Sequence, residues 1–291
     1  MNNNDQLIST FCRIDDFCII HEKYLQSKAI SSKSFKRGPT QSICLSEIMT
    51  ILVMYQILQY RNFKSFYNDF LFEYWREFFP NLPSYTRFVE LIPQALVGLS
   101  NFVSLNRGKN TDIYYVDATK LPVCHNLREK RHKVFNGLAG KSKTSTGWFY
   151  GLKLHFVINQ LSQIMSLRVT QGNIDDRTPL ISMCEGLKGY IFADRGYISK
   201  DKESSLANQG LKLITTLKKN LKKVFRTKTE RALLRSRGMI ETMIDYLKNS
   251  LMLWHTRHRS PTNAFTHLMA CMAAWIIAPT EIVGQRRITM D

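Results

Sequence analysis

Hydrophobic positions change their spacing partway along this chain. Up to about residue 110 they recur at three and four residues, the spacing of one helix face. Beyond that point they mostly alternate, as on strands with one buried face. Residues 1–35 read as helical, and SSKSFKRGPTQS (31–42) is a Ser-rich, basic break closed by Gly38-Pro39. Leu45 to about Trp75 is too long and apolar for one helix and predicts two packed helices. Its aromatics (Tyr55, Tyr60, Phe63, Phe66, Tyr67, Phe70, Phe72, Tyr74 and Trp75) read as a core rather than a base-stacking surface. Pro80 and Pro83 punctuate the chain, and Ser84 can cap a further helix, YTRFVELIPQALVGL, with Arg87 exposed near its start. Helix, proline-containing turn, helix is compatible with helix-turn-helix reading of DNA, and equally with any small helical bundle.

The strand-like part begins near residue 112. IYYVD (113–117), WFYGLKLHFVIN (148–159) and IMSLRVTQGN (164–173) predict an antiparallel meander. DDRTPLISMCEG (175–186) reads as a helix with an Asp cap and an early proline, GYIFAD (189–194) as a fourth strand, SKDKESSLANQG (199–210) as a short helix and LKLITTLKK (211–219) as a fifth strand. RSRGMIETMIDYLKN (235–249) then carries an apolar stripe of Ile240, Met243, Ile244, Leu247 and, one turn on, Leu251. NAFTHLMACMAAWIIA predicts a final apolar helix. The expected class is α/β: an all-helical region over 1–110, then a mixed five-stranded sheet with helices over 111–291 that includes the carboxy-terminal helices.

Charge changes the picture. The 291 residues hold 41 Lys and Arg against 23 Asp and Glu, a formal net charge of +18. Residues 1–110 contribute 12 bases and 9 acids, or +3, so the later part carries 18 − 3 = +15. A globular protein this basic suits a polyanion, nucleic acid before a membrane surface. The amino terminus shows no secretory signal, and the longest apolar run, Leu268 to Ala278, is too short to span a bilayer. The expectation is a cytoplasmic protein without a membrane partner. Six cysteines form no CxxC pair and no zinc spacing, and read as reduced packing residues. Two segments predict no element of their own. CHNLREKRHKVFNGLAGKSKTSTG (124–147) includes Arg131, Lys133, Lys141 and Lys143; KKNLKKVFRTKTERALLRSR (218–237) includes Lys222 and Lys223. Lying close in sequence to the acids discussed next, both are expected to track phosphates.

Asp117 and Asp194 each end a predicted strand. In a sheet of order three-two-one-four-five these strands are parallel neighbours, and both carboxylates enter one crevice at the carboxyl edge. Glu241, on a helix docked by its apolar stripe, can supply a third acid; Arg237 and Lys248 share its polar line. Three converging carboxylates repel, and become sensible around hard divalent cations such as Mg²⁺ or Mn²⁺. Capping explains at least one of Asp175 and Asp176, and Asp245, one turn after Glu241, is the competing third acid. Lys153 and Arg195 are candidate phosphate contacts, whereas His155 reads as a satisfied core or edge histidine and Gly196 as relief for a tight turn.

These motifs carry a resemblance. YYVDATKLPVC, WFYGLKLH, QGNIDDRTPL, YIFADRGY and RGMIETMIDYLK resemble the DDE transposases of bacterial insertion sequences, and most of all insertion-sequence family 982. In such enzymes the last acid often follows the pattern Tyr, two residues, Arg, three residues, Glu, six residues, Lys; here Arg237, Glu241 and Lys248 match and Leu234 stands at the tyrosine position. The resemblance covers about 112–275. It implies an RNase H-like catalytic domain in which Asp117, Asp194 and Glu241 hold two Mg²⁺ ions, with Mn²⁺ able to substitute. It also implies cleavage at terminal inverted repeats, strand transfer into target DNA and a homodimer or higher homo-oligomer on bacterial, nucleoid-associated DNA. A nuclease of the same fold that cuts without joining, and a non-catalytic DNA-binding relic, remain the competing readings.

Overall fold

The structure is a computed structural model that describes residues 3–29, 43–144, 147–216, 227–254 and 258–277. The expected break at 31–42 and residues 218–226 of the second basic run, with Lys222 and Lys223, lie outside the described residues. The chain forms two compact units, one of 1–106, 249–253 and the residues from 258, the other of 107–248 and 254–257.

The first unit is helical. Its core packs four helices together: Asn3–Ala29, Leu45–Ile57, Ala95–Leu105 and Pro261–Ile277. Leu45–Ile57 is apolar on every side and buried almost throughout, as a helix surrounded by others must be. A second helical run, 63–74, holds a six-residue π segment, Phe66–Leu71, between two short α turns. Most of the dense aromatics form a core, as expected, with Tyr67 meeting Phe88 at 4.9 Å between ring centres and Phe70 meeting Trp75 at 4.8 Å, but Phe72 and Tyr74 are exposed at 39% and 63%. Their polar atoms are satisfied, with Trp75 Nε1 donating to Asn4 Oδ1 (2.9 Å) and the Tyr67 hydroxyl to the Pro83 carbonyl (2.6 Å). Ser84 caps as expected, its hydroxyl accepting from the Arg87 N–H at 3.4 Å. The helix beyond it is interrupted where a continuous one was expected. Pro93 has no N–H and crowds the preceding turn, so Tyr85–Leu91 passes through a 3₁₀ turn, Ile92–Gln94, into Ala95–Leu105. The final helix, expected with the sheet, packs among the helices of this unit, where His267 Nδ1 meets Gln56 Nε2 at 3.1 Å.

The second unit holds a six-stranded sheet: β1 (Ile113–Cys124), β2 (Gly140–Thr144), β3 (Gly147–Asn159), β4 (Ile164–Gln171), β5 (Gly189–Ala193) and β6 (Leu211–Thr215). The order is β2-β3-β1-β5-β6, with β4 also on β3. The five expected strands take the expected order. The sixth, β2, arises in a segment read as structureless, because GKSKT has no apolar alternation and acquires its form from the ladder with β3. The same segment begins with a 3₁₀ turn, Asn126–Arg131. Tyr114, Val116, Val157, Ile191 and Ala193 face a core closed by Leu180, Met183 and Leu206, from the helices Leu180–Met183 and Lys200–Asn208. The first of these is shorter than expected, because Asp175 closes a local turn onto Arg177 N (2.9 Å) instead of capping a helix.

One edge of β3 serves two partners. β2 pairs with Gly147 to Gly151, and β4 takes over at Leu152. The backbones converge at the handover, where the Gly172 N–H donates to the Gly151 carbonyl at 2.9 Å. A Cβ on Gly151 would stand 2.1 Å from the Leu121 carbonyl oxygen, and one on Gly172 would stand 2.5 Å from that of Gly140. Both obstacles are backbone and cannot rotate aside. Gly151→Ala should therefore lose about 2–3 kcal/mol of unfolding free energy. Urea titration against the wild type checks this, and an unchanged midpoint would mean that the ladders can spread.

Candidate active site

β1 and β5 are parallel for a short distance only. Their register pairs Ile113 with Tyr190, Tyr114 with Ile191 and Tyr115 with Phe192. β5 then ends at Ala193, whereas β1 continues to Cys124 along β3. The expectation that the first strand stops at its acid is therefore corrected: Asp117 sits mid-strand, just past the point where β1 loses one neighbour. Pro122 is tolerated farther along for the same reason, since that edge carries no ladder with β5.

Two residues beyond Tyr115 on β1 is Asp117, and two beyond Phe192 is Asp194. Side chains two apart on a strand share a face. The Tyr115 and Phe192 rings lie 5.6 Å apart between centres, so they share one face, and the two aspartates follow them onto it at one level. Asp194 has extended backbone angles (φ −74°, ψ 170°), which continue the strand direction. The first two sequence-predicted acids are thus brought together by strand register.

Glu241 arrives from above that face. Its helix, Gly238–Asn249, is docked through the buried stripe Ile240, Met243, Ile244 and Leu247. Ser236, in the turn before the helix, hydrogen-bonds the Tyr115 hydroxyl, and the Ser162 hydroxyl meets Met239 Sδ at 3.6 Å. The helix expected over 235–249 begins only at Gly238; Arg235 instead ends a separate helix, Lys228–Arg235, in a segment read as having no element of its own, and Arg237 lies in the turn between the two. Arg237 Nη2 nonetheless donates to Glu241 Oε1 at 2.7 Å.

Each acid has one oxygen engaged. The Ala118 N–H donates to Asp117 Oδ1 (2.8 Å), the Thr216 hydroxyl to Asp194 Oδ1 (3.2 Å), and Arg237 to Glu241. Asp117 is partly buried, and its carboxyl is pushed up to about 6. Desolvation is the main cause, Glu241 and Asp194 add to it as like charges, and the Ala118 N–H and Arg237 oppose it. This carboxylate is therefore held at an electrostatic cost that a divalent cation would relieve. The donor set, three carboxylate groups, suits a hard cation. Among the described residues no three His, Cys, Asp or Glu side chains stand close enough together to hold an ion as they are.

The remaining candidates divide. Lys248 is partly buried with its ammonium 4.8 Å from the Trp254 ring centre; burial, then Lys120, lowers its pKa, while Asp117 opposes the shift. It belongs to the surroundings of the acids. Arg195 is exposed directly after Asp194, and Arg131 and Lys133 are exposed beyond β1. Lys153 is committed to the fold, its ammonium donating to the Ile174 carbonyl (2.8 Å) and pairing with Asp176 (2.9 Å). His155 is buried as expected, its Nε2 2.8 Å from Thr170 Oγ1, and pushed down to about 4 chiefly by desolvation, but its Nδ1 is buried without a hydrogen-bond partner, where a satisfied ring was expected. Sequence reading missed Tyr115, Phe192, Ser236 and Thr216. The first two had a signal, an aromatic two residues before each acid in YYVD and IFAD.

Residues 107–261 match the protein family described as "Transposase DDE domain". No curated protein matches the chain. Among solved structures, a piggyBac transposase in a synaptic complex with hairpin DNA is similar over 86% of this chain and 70% of that one, at 9% sequence identity and a TM-score of 0.47.

The pH dependence of stability follows from Asp117. Its folded pKa lies above the ordinary 3.8, so the folded state binds the proton more tightly. Its contribution is most favourable below about pH 4 and is lost as pH rises through about 6. Asp117→Asn should therefore stabilise the protein at pH 8, by at most about 3 kcal/mol, and have little effect at pH 4. Thermal unfolding at the two pH values checks this; equal effects at both would refute the desolvation account.

Proposed function

The chain belongs to the transposase DDE domain family, and on that premise we propose that it cuts DNA at the ends of a mobile element and joins the freed ends to a new target. The observation that carries this reading is the Tyr115–Phe192 ring contact, which sets Asp117 and Asp194 at one level on one face of the sheet. The mixed sheet with its parallel β1–β5 pair supports an RNase H-like fold. Assignment to insertion-sequence family 982 rests on the sequence motifs.

Asp117, Asp194 and Glu241 would hold the cations, two Mg²⁺ ions or Mn²⁺ in their place, which supply an activated oxygen nucleophile and neutralise charge at the reacting phosphate. In cleavage, a water oxygen bonds to phosphorus and the bond to the 3′ oxygen breaks, leaving a 3′-hydroxyl. In joining, that hydroxyl attacks a target phosphate and releases a target 3′-hydroxyl. No covalent bond to the protein forms in either step. The chain's own residues set the stage. The Ala118 N–H fixes one oxygen of Asp117, and Thr216 fixes one of Asp194. Lys248 holds positive charge near Asp117, where phosphate must approach. Arg195, Arg131 and Lys133 are exposed for the DNA backbone, and Lys222 and Lys223 extend the same reading. Two ends must be joined to one target, which suits a homodimer or larger assembly on DNA.

Arg237 has a double part. It pairs with Glu241 and lowers the pKa of Asp117, so its guanidinium serves both acids. An i,i+4 pair of this kind is worth only a few tenths of a kcal/mol. A divalent cation can therefore displace it, and the freed guanidinium is then available to phosphate.

Two outcomes are expected. Asp117→Ala, Asp194→Ala and Glu241→Ala should each abolish Mg²⁺-dependent nicking of end-containing DNA and leave DNA affinity within about threefold; nicking that survives all three changes would remove the assignment. A pre-cleaved 3′-hydroxyl end that gives strand-transfer product separates a transposase from a nuclease. Arg237→Gln should tighten Mn²⁺ binding roughly fivefold in calorimetry, because a competing charge is gone. Unchanged or weaker binding would mean that Arg237 does not compete.

A further inference from the structure

The start of β3 carries an exposed side chain that the reading so far does not use. Trp148 is 55% exposed, although tryptophan is the largest apolar side chain and nearby strand positions are buried. Its described neighbours on β2 are polar, and one further exposed apolar side chain, Leu127, lies in the turn joined to its carbonyl. Lys143 is its direct partner across β2, and the ammonium groups of Lys143 and Lys141 lie 5.9 and 5.8 Å from its ring centre. Lys141 also pairs with Glu129 at 2.7 Å. The 3₁₀ turn that holds Glu129 is tied to the strand by the Asn126 amide, which donates to the Trp148 carbonyl, and it adds Arg128, Lys130 and Arg131 to the surroundings.

An aromatic face flanked by cations is the arrangement that binds an unpaired base with its phosphates: the ring stacks and the ammonium groups track the backbone. A protein partner would be better served by a larger apolar surface with fewer like charges. The location agrees. Trp148 and Phe156 share a face of β3, being eight residues apart, and Phe156 lies directly across from Asp117. Eight residues of strand at about 3.3 Å each span roughly 26 Å.

We propose that Trp148, with Lys141 and Lys143, is a stacking site for an unpaired base in single-stranded DNA, at the far end of β3 from the residue that pairs with Asp117. The proposal rests on the nucleic-acid reading above. It adds that the protein binds a locally unpaired strand on this face, so that substrates able to open there are favoured over rigid duplex.

The test compares wild-type protein, Trp148→Ala, Trp148→Phe and the double change Lys141→Ala with Lys143→Ala. Fluorescence anisotropy is read in EDTA, on a twelve-residue oligothymidylate and on a thirty-base-pair duplex. Trp148→Ala should weaken oligothymidylate binding about tenfold, within the range of one base–aromatic stack, and duplex binding less than threefold. Trp148→Phe, which keeps a ring, should recover most of the loss. The lysine pair should reduce the salt slope on the single strand by about 1.4, or 0.7 for each phosphate released. Equal loss on both DNAs, or none on either, overturns the proposal while leaving the transposase reading intact. A wild-type protein that binds neither DNA overturns both. Urea midpoints within error of wild type show that Trp148→Ala acts on binding and not on folding.

Discussion

Three residue pairs of parallel ladder between β1 and β5 determine where Asp117 and Asp194 stand relative to each other. The hydrogen-bond register is discrete, and a slip of one residue would send every side chain of a strand to the other face. Tyr115 against Phe192 fixes that register from the buried side with a ring contact, and the next alternate position on each strand is an aspartate. The helix with Glu241, the Thr216 hydroxyl and Lys248 are all arranged around a position that this ladder has already chosen.

The site is also a place where the fold works against itself. Asp117 is desolvated beside two further acids, an arrangement that weakens the folded state at neutral pH. Arg237 offsets part of this and ties up Glu241 in doing so. A structural role would be met more cheaply by an asparagine or a leucine at residue 117. The coexistence of a buried carboxylate, two neighbouring acids and an easily displaced guanidinium makes sense for a site that exchanges one positive charge for another during its work.

Much of this was legible in the sequence, for reasons that particular residues make clear. Five strands could be read from their β-rich and alternating segments, whereas their order was supposed and not read from the residues. The stripe Ile240, Met243, Ile244 and Leu247 foretold a docked helix. Other features depend on partners far along the chain and left no local trace. β2 is a strand because β3 offers it an edge, and GKSKT alone shows nothing of it. β1 runs past Asp117 because β3 continues beside it, whereas the sequence suggested an end at the acid. Lys153 was read as free to meet DNA, but Asp176 and the Ile174 carbonyl claim its ammonium, and only the folded chain brings those groups into reach. The final helix showed its apolarity, but its neighbours in the helical unit could not be read from it.

The turn at Ser236–Arg237 has a consequence for how such a chain can vary. The first two acids are locked to each other by register, but the third reaches them by the docking of a separate helix, 47 residues beyond Asp194 in the chain. Nothing in the β1–β5 ladder counts those residues. Lengthening a connection adds closure entropy only slowly, about 0.6 kcal/mol for each doubling. Segments of very different size could therefore be inserted between the second and third acids without disturbing the site. The spacing of the acids along the sequence is thus a poor guide to relationship, and the residues immediately around each acid are the better one.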